Sequence, residues 1–140
     1  MTRDAIAAFF DRRRIAYDAQ DAAALAADYS VDCVIESPSA GVHHGRTTAE
    51  QVLRAVFDAL DVKLHQEALI IDGDSVAQVL SIEGTDDGQF LGLPPTGKPF
   101  RVPGVFIYSL RDGQIARERR IYDFTALLMQ VGLLKAKPAV

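Results

Sequence analysis

The chain has 140 residues, 49% of them hydrophobic and 24% charged, with a formal net charge of −4. That length fits one domain spanning 1–140 that buries roughly two-thirds of its unfolded surface, and the composition excludes a mainly disordered chain. An acidic protein lacks the basic footprint that a phosphate backbone demands, so no nucleic-acid partner is expected; Arg12-Arg13-Arg14 and Arg119-Arg120 are too small to change that.

Residues 3–19 are predicted to form a helix with Ile6, Phe9, Phe10, Ala16 and Tyr17 on one stripe. Its apolar start, Ile6 to Phe10, is cut off by Asp11 and three arginines. That run is too short for a signal sequence or a membrane span, so a cytoplasmic protein without membrane contact is expected. Asp21 is a plausible N-cap for an alanine-rich second helix reaching about Tyr29. Val31–Glu36 follows as a strand whose single cysteine, Cys33, reads as a buried apolar thiol. A turn at 37–41 leads to a short strand at 42–44. Thr47-Thr48-Ala49-Glu50 fits a capping box in front of a helix that buries Val52, Leu53, Val56, Phe57 and Leu60.

Beyond Lys63 the period changes to strands at 64–71, 75–84, 100–110 and 114–122. Turns at Asp72-Gly73 and Asp112-Gly113 separate two of the pairs, because Asp-Gly tolerates positive φ. A short helix follows Asp123. Helices first and an antiparallel meander after is an α+β layout. On strand 75–84, Val76, Leu80 and Ile82 share one face while Ala77 and Val79 make the other partly apolar. The helices can cover only one face, so a homodimer covering part of the other is expected.

Three stretches carry a resemblance. They are the run Gly84-Thr85-Asp86 to Gly97-Lys98, the segment Leu110-Arg111-Asp112-Gly113-Gln114-Ile115, and Tyr122-Asp123-Phe124 continued by Leu127-Leu128-Met129-Gln130-Val131-Gly132. Together they resemble the SnoaL-like polyketide cyclase/ester cyclase family of the nuclear-transport-factor-2-like superfamily. That family's pattern is roughly GTH…F.G.PPTGK, then DGKI.E, then D…LL.QLG. Residues 64–134 match closely, and the first half fits by element order. The resemblance implies a cone-shaped, curved antiparallel or mixed sheet wrapped around the N-terminal helices, enclosing an apolar pocket. It also implies intramolecular aldol condensation of a polyketide ester without metal or organic cofactor, with an aspartate matching Asp123 as the acid/base. Asp86 stands where the family has the histidine of Gly-Thr-His, and as a loop aspartate it is expected in solvent.

Chemically, aldol closure needs a base for a proton α to a carbonyl and an acid for the forming alkoxide. A carboxyl desolvated among Ile121 and Phe124 can do both. Asp123 also fits a plain N-cap of the last helix, accepting from Thr125 or Ala126, and both readings stand. On a regular strand, Ile115, Arg117, Arg119, Ile121 and Asp123 share one face, and an inward Arg119 would bind a carboxylate or enolate. A single bulge would present Glu118 and Arg120 instead. Tyr17 and Tyr108 are the other expected substrate contacts, with Tyr29 a further candidate hydroxyl.

No metal is expected. His43 and His44 are adjacent on an extended chain, His65 lies elsewhere, and no HExxH or paired Cys/His spacing occurs. The loop Gly92–Pro99 is no phosphate cradle, since its prolines remove N–H donors and a strand follows. The expected protein is a cofactor-independent cyclase or isomerase acting on a hydrophobic carbonyl compound. Three alternatives remain open: an epoxide hydrolase or dehydratase on the same scaffold, a non-catalytic small-molecule binder, and a purely structural dimerisation domain.

Overall fold

A computed structural model of the chain describes residues 1–135. Helix α1, Arg3–Asp18, begins at Thr2, whose hydroxyl accepts from the Ala5 amide at 3.1 Å. It buries Ile6, Phe9, Phe10, Arg13 and Tyr17. Helix α2, Ala22–Ala26, is capped by Asp21 as expected. It stops before Tyr29 because the sheet claims that segment: the Ile115 amide donates to the Asp28 carbonyl, and Tyr29 pairs with Ile115.

Strands β1, Tyr29–Ser37, and β2, Gly41–His44, form a hairpin, and helix α3, Arg46–Ala59, follows. The expected capping box does not form. Gly45, at φ +91, is the N-cap without a side-chain bond, so the helix starts ahead of both threonines. Glu50 pairs instead with Arg54 one turn on. Strands β3, Lys63–Asp72, β4, Ser75–Thr85, β5, Pro99–Arg111, and β6, Gln114–Tyr122, make the meander, and α4, Phe124–Gln130, closes the described chain.

The six strands form one sheet in the order β2-β1-β6-β5-β4-β3. Only β1 against β6 is parallel, and the other neighbours are antiparallel. The α+β class therefore holds, with a mixed sheet. Inward residues such as Val76, Leu80, Val102, Phe106 and Ile115 share one core with the buried residues of α1, α2 and α3. The opposite face stays partly apolar. Ile70, Ala77 and Ile107 lie in one cross-strand row, and Ala68, Val79, Val105 and Ile121 in the next.

One irregularity in β6 determines the site. Ser109 pairs with Arg117 but Leu110 with Ile115, leaving Ala116 as an extra residue. This bulge reverses the alternation, so Ile115 is inward before it and Glu118 and Arg120 are inward after it. Among the described residues no helix is long and apolar enough to cross a membrane.

Candidate active site

Arg13 sits on the apolar stripe of α1, between the turns that carry Phe9 and Tyr17, and is itself buried. A guanidinium there is tolerable only with partners. Its Nη1 donates to Asp28 Oδ2 and to the Leu25 carbonyl, both at 3.0 Å, and its Nη2 donates to the Tyr29 hydroxyl at 3.2 Å. That hydroxyl donates to Glu118 Oε2 at 3.0 Å. Arg120 Nε donates to the same oxygen at 3.0 Å, and its Nη2 also lies at 3.0 Å. The result is a buried chain of charge-assisted hydrogen bonds, Asp28–Arg13–Tyr29–Glu118–Arg120, running from the base of α1 to the inner face of β6.

Burial on its own would lower the pKa of each arginine. For Arg13 the opposing influence of Tyr29, Tyr108, Glu118 and Asp28 prevails, and for Arg120 that of Glu118 and the neighbouring tyrosines, so both stay above the ordinary value. Arg120 is thus a permanent cation, held by Glu118 and lying 5.5 Å from the centre of the Phe106 ring.

Arg120 borders a cavity of about 70 Å³. The walls are Val52 and Val56 from α3, then Leu60, Val62, Leu64, Ile82, Phe90, Phe100, Phe106 and Leu127, with Tyr17, Tyr122, Ser37 and Ser39 as polar members. Among the described residues Arg120 is the only charged one lining it. This is an apolar hollow with a few convergent polar groups, the usual form of a small-molecule site. Its inner end continues into a smaller chamber that shares Tyr17, Leu64, Phe106 and Arg120 and adds Glu118, Tyr29, Tyr108 and Gln78. Outwardly, Ser39, Ala40, Val52, Val56 and Phe90 are shared with an open groove along α3, which marks the entrance.

Tyr17 lines both compartments and stacks edge-on against Phe57 at 5.0 Å. Burial pushes its phenol up to about 12, against the pull of Arg120, so it is a proton donor at neutral pH. Tyr108 faces only the inner chamber, donating to Gln78 Oε1 at 3.2 Å. It therefore lies deeper than the substrate wall where it was expected.

The structure places the other two expected site residues elsewhere. Arg119 projects from the outer face of the sheet, where it lies 3.8 Å from Glu36, because the bulge has turned it away. Asp123 is exposed, and its Oδ1 accepts from the Ala126 amide at 2.9 Å as the N-cap of α4. It does not border the cavity, and its neighbour Ile121 is 44% exposed, so the desolvation expected of that carboxyl is not present. The bulge accounts for this too. With Arg120 and Tyr122 inward, the chain has already turned into α4 at the next residue.

Asp86 is also not in solvent. It is 1% exposed, with Oδ2 taking the amide and hydroxyl of Thr96, both at 3.1 Å. It ties the two ends of the loop that carries Phe90 over the cavity. Among the described residues no group of three or more His, Cys, Asp or Glu side chains could hold a metal.

Sequence reasoning missed Arg13 as an inward group because it stands in a run of three arginines. The available signal was its position on the stripe, seven residues after Ile6 and four before Tyr17.

The chain fits known proteins along nearly its whole length. Structures with similar folds include TsrD from Streptomyces laurentii, with a TM-score of 0.84 and 23% identity over 96% of this chain and 99% of that one. A candidate polyketide cyclase from Xanthomonas campestris pv. campestris gives 0.85 and 22%, over 93% and 98% of the two chains. One from Silicibacter sp. TM1040 gives 0.79 and 21%, over 95% and 94%. Comparison with curated proteins finds no match. The family model for SnoaL-like polyketide cyclases matches residues 6–131, and the chain accordingly belongs to the SnoaL-like polyketide cyclase family.

Proposed function

We propose that the protein is a cofactor-independent enzyme of the cyclase or isomerase type that binds an apolar carbonyl compound with one oxygen against Arg120 and Tyr17. The observation that carries this is a guanidinium, oriented by Glu118, as the one charge that the described residues bring to a mostly apolar cavity. Arg120 and the Tyr17 hydroxyl stabilise the negative charge that develops on a carbonyl oxygen when the α C–H bond breaks. The proton passes to water entering through the mouth. In a ring closure, the freed electron pair forms the new C–C bond to a second carbonyl carbon, and that carbonyl's oxygen takes up a proton. Glu118 is a positioning residue here, its Oε2 being occupied by Tyr29 and Arg120. An epoxide hydrolase or dehydratase would use a carboxylate facing the water of the cavity, whereas Glu118 borders the inner chamber.

Exchange of the α-protons of 1-tetralone with deuterium oxide, followed by proton NMR, tests the reading. The wild type is expected to accelerate exchange, and the Arg120→Met/Glu118→Gln variant to lose about 10²–10³-fold of that acceleration. No acceleration by the wild type would contradict it. A second reading, a non-catalytic binder, is favoured by one observation: among the described residues no carboxylate lines the cavity that Arg120 borders. It predicts saturable binding of the ketone without exchange.

A further inference from the structure

The cavity has a second polar pole, separate from Arg120 and not used in the step above. Tyr122 and Ser39 both line it, and their hydroxyl oxygens lie 2.7 Å apart. Tyr122 is two residues beyond Arg120 on the same face of β6, a strand advance of about 7 Å. Ser39 comes from the β1–β2 turn, which the Ser37 hydroxyl pins by accepting from the Ala40 amide at 2.9 Å. Two mutually bonded hydroxyls use one of their two protons between them. Whichever is the donor, the other keeps its proton, and unfilled lone pairs remain on both oxygens. The pair can therefore donate to a ligand oxygen or accept from a ligand hydroxyl, and the internal bond polarises the free group further.

We propose that Tyr122 and Ser39 form a second oxygen-recognition subsite at the cavity mouth, so that the preferred ligand is an apolar molecule carrying two oxygen functions, one at each pole. The inference rests on the proposed role of Arg120 as the inner pole. A ligand bound this way spans the cavity from the buried cation to the entrance, with Val52, Val56 and Phe106 against its apolar body. Such a molecule has the functionality that an intramolecular condensation consumes, one carbonyl to be polarised and a second oxygen held at a fixed distance. The competing account makes the pair a latch that only fastens the β1–β2 turn to β6.

Isothermal titration of the full chain with 1-tetralone and 6-hydroxy-1-tetralone separates these accounts. The wild type is expected to bind the two-oxygen ligand about 3- to 10-fold more tightly, the increment of one hydrogen bond. In Ser39→Ala/Tyr122→Phe that preference is expected to disappear while the affinity for 1-tetralone stays within about twofold of wild type. Equal binding of both ligands by the wild type, or a preference that survives the double substitution, overturns the subsite and leaves the Arg120 pole standing. Loss of 1-tetralone binding in the double variant also overturns it, in favour of the latch. Should the wild type bind neither ketone, the cavity reading falls and the subsite with it. Arg120→Met/Glu118→Gln, expected to lose 1-tetralone, identifies the inner pole independently.

Discussion

Removing Arg120 alone strands the Glu118 carboxyl inside the protein, and such half-pairs typically cost about 3–5 kcal/mol. Arg120→Met should therefore be far less stable than Arg120→Met/Glu118→Gln, in which the amide oxygen still accepts from Tyr29 and no charge is left behind. Urea denaturation reads the difference directly, and equal stability would mean that the pair is not buried as described. Asp123 makes the opposite prediction. Because Asn caps a helix nearly as well as Asp, Asp123→Asn should keep both stability and ketone exchange, while Asp123→Ala should cost about 1 kcal/mol with exchange retained. Loss of exchange in the Asn variant would return the acid/base role to that carboxyl. At this scale the sequence was only partly legible. The apolar stripe of α1 indicated that Tyr17 turns inward, where it lines the cavity. Which of Arg117, Glu118, Arg119 and Arg120 faces inward depends on one unpaired residue, Ala116, and no residue pattern in β6 announces that bulge.

Helices, strands and turns were far more legible than side-chain direction. The 3.6 and 2.0 periods located every main element, and the Asp112-Gly113 turn takes the positive φ values, +53 and +75, that its sequence suggested. The misjudged boundaries lie where tertiary contacts compete with local ones: α2 yields Tyr29 to the sheet, and Gly45 takes the cap position from the threonines. The loop between β4 and β5 is also an element with a job, because it carries Phe90 to the cavity wall. Gly88 seats that loop against the end of α3, its amide donating to the Ala59 carbonyl at 2.9 Å. A Cβ there would lie 2.2 Å from the Asp58 carbonyl oxygen and 2.8 Å from the Ala59 Cα. Gly88→Ala should therefore destabilise the protein by about 1–3 kcal/mol and expose the loop to proteolysis. Limited chymotrypsin digestion unchanged from wild type would show the loop to be held differently.

For the whole molecule, the open face of the sheet is the feature that one chain leaves unresolved. Ile70, Ile107 and Ile121 are 58%, 39% and 44% exposed, flanked by rows of Ala and Val and bordered by Arg117 and Arg119. We propose that a second copy of the chain covers it, as the two-sided apolarity of β4 suggested. Small-angle scattering should give a dimer at micromolar concentration, and Ile107→Lys a monomer with unchanged circular dichroism; a monomeric wild type would refute the interface. The cavity lies on the other side of the sheet, so the monomeric variant should still bind ketone. The proposed function rests on the Arg120 cation, held by Glu118 at the wall of a mostly apolar cavity, and carbonyl-labelled 1-tetralone tests that most directly. Its ¹³C resonance should move downfield on binding to the wild type and to Asp123→Asn, and Arg120→Met/Glu118→Gln should show no such shifted resonance at ketone concentrations that saturate the wild type. A bound ketone whose carbonyl resonance is unshifted, or shifted equally without Arg120, would contradict the account.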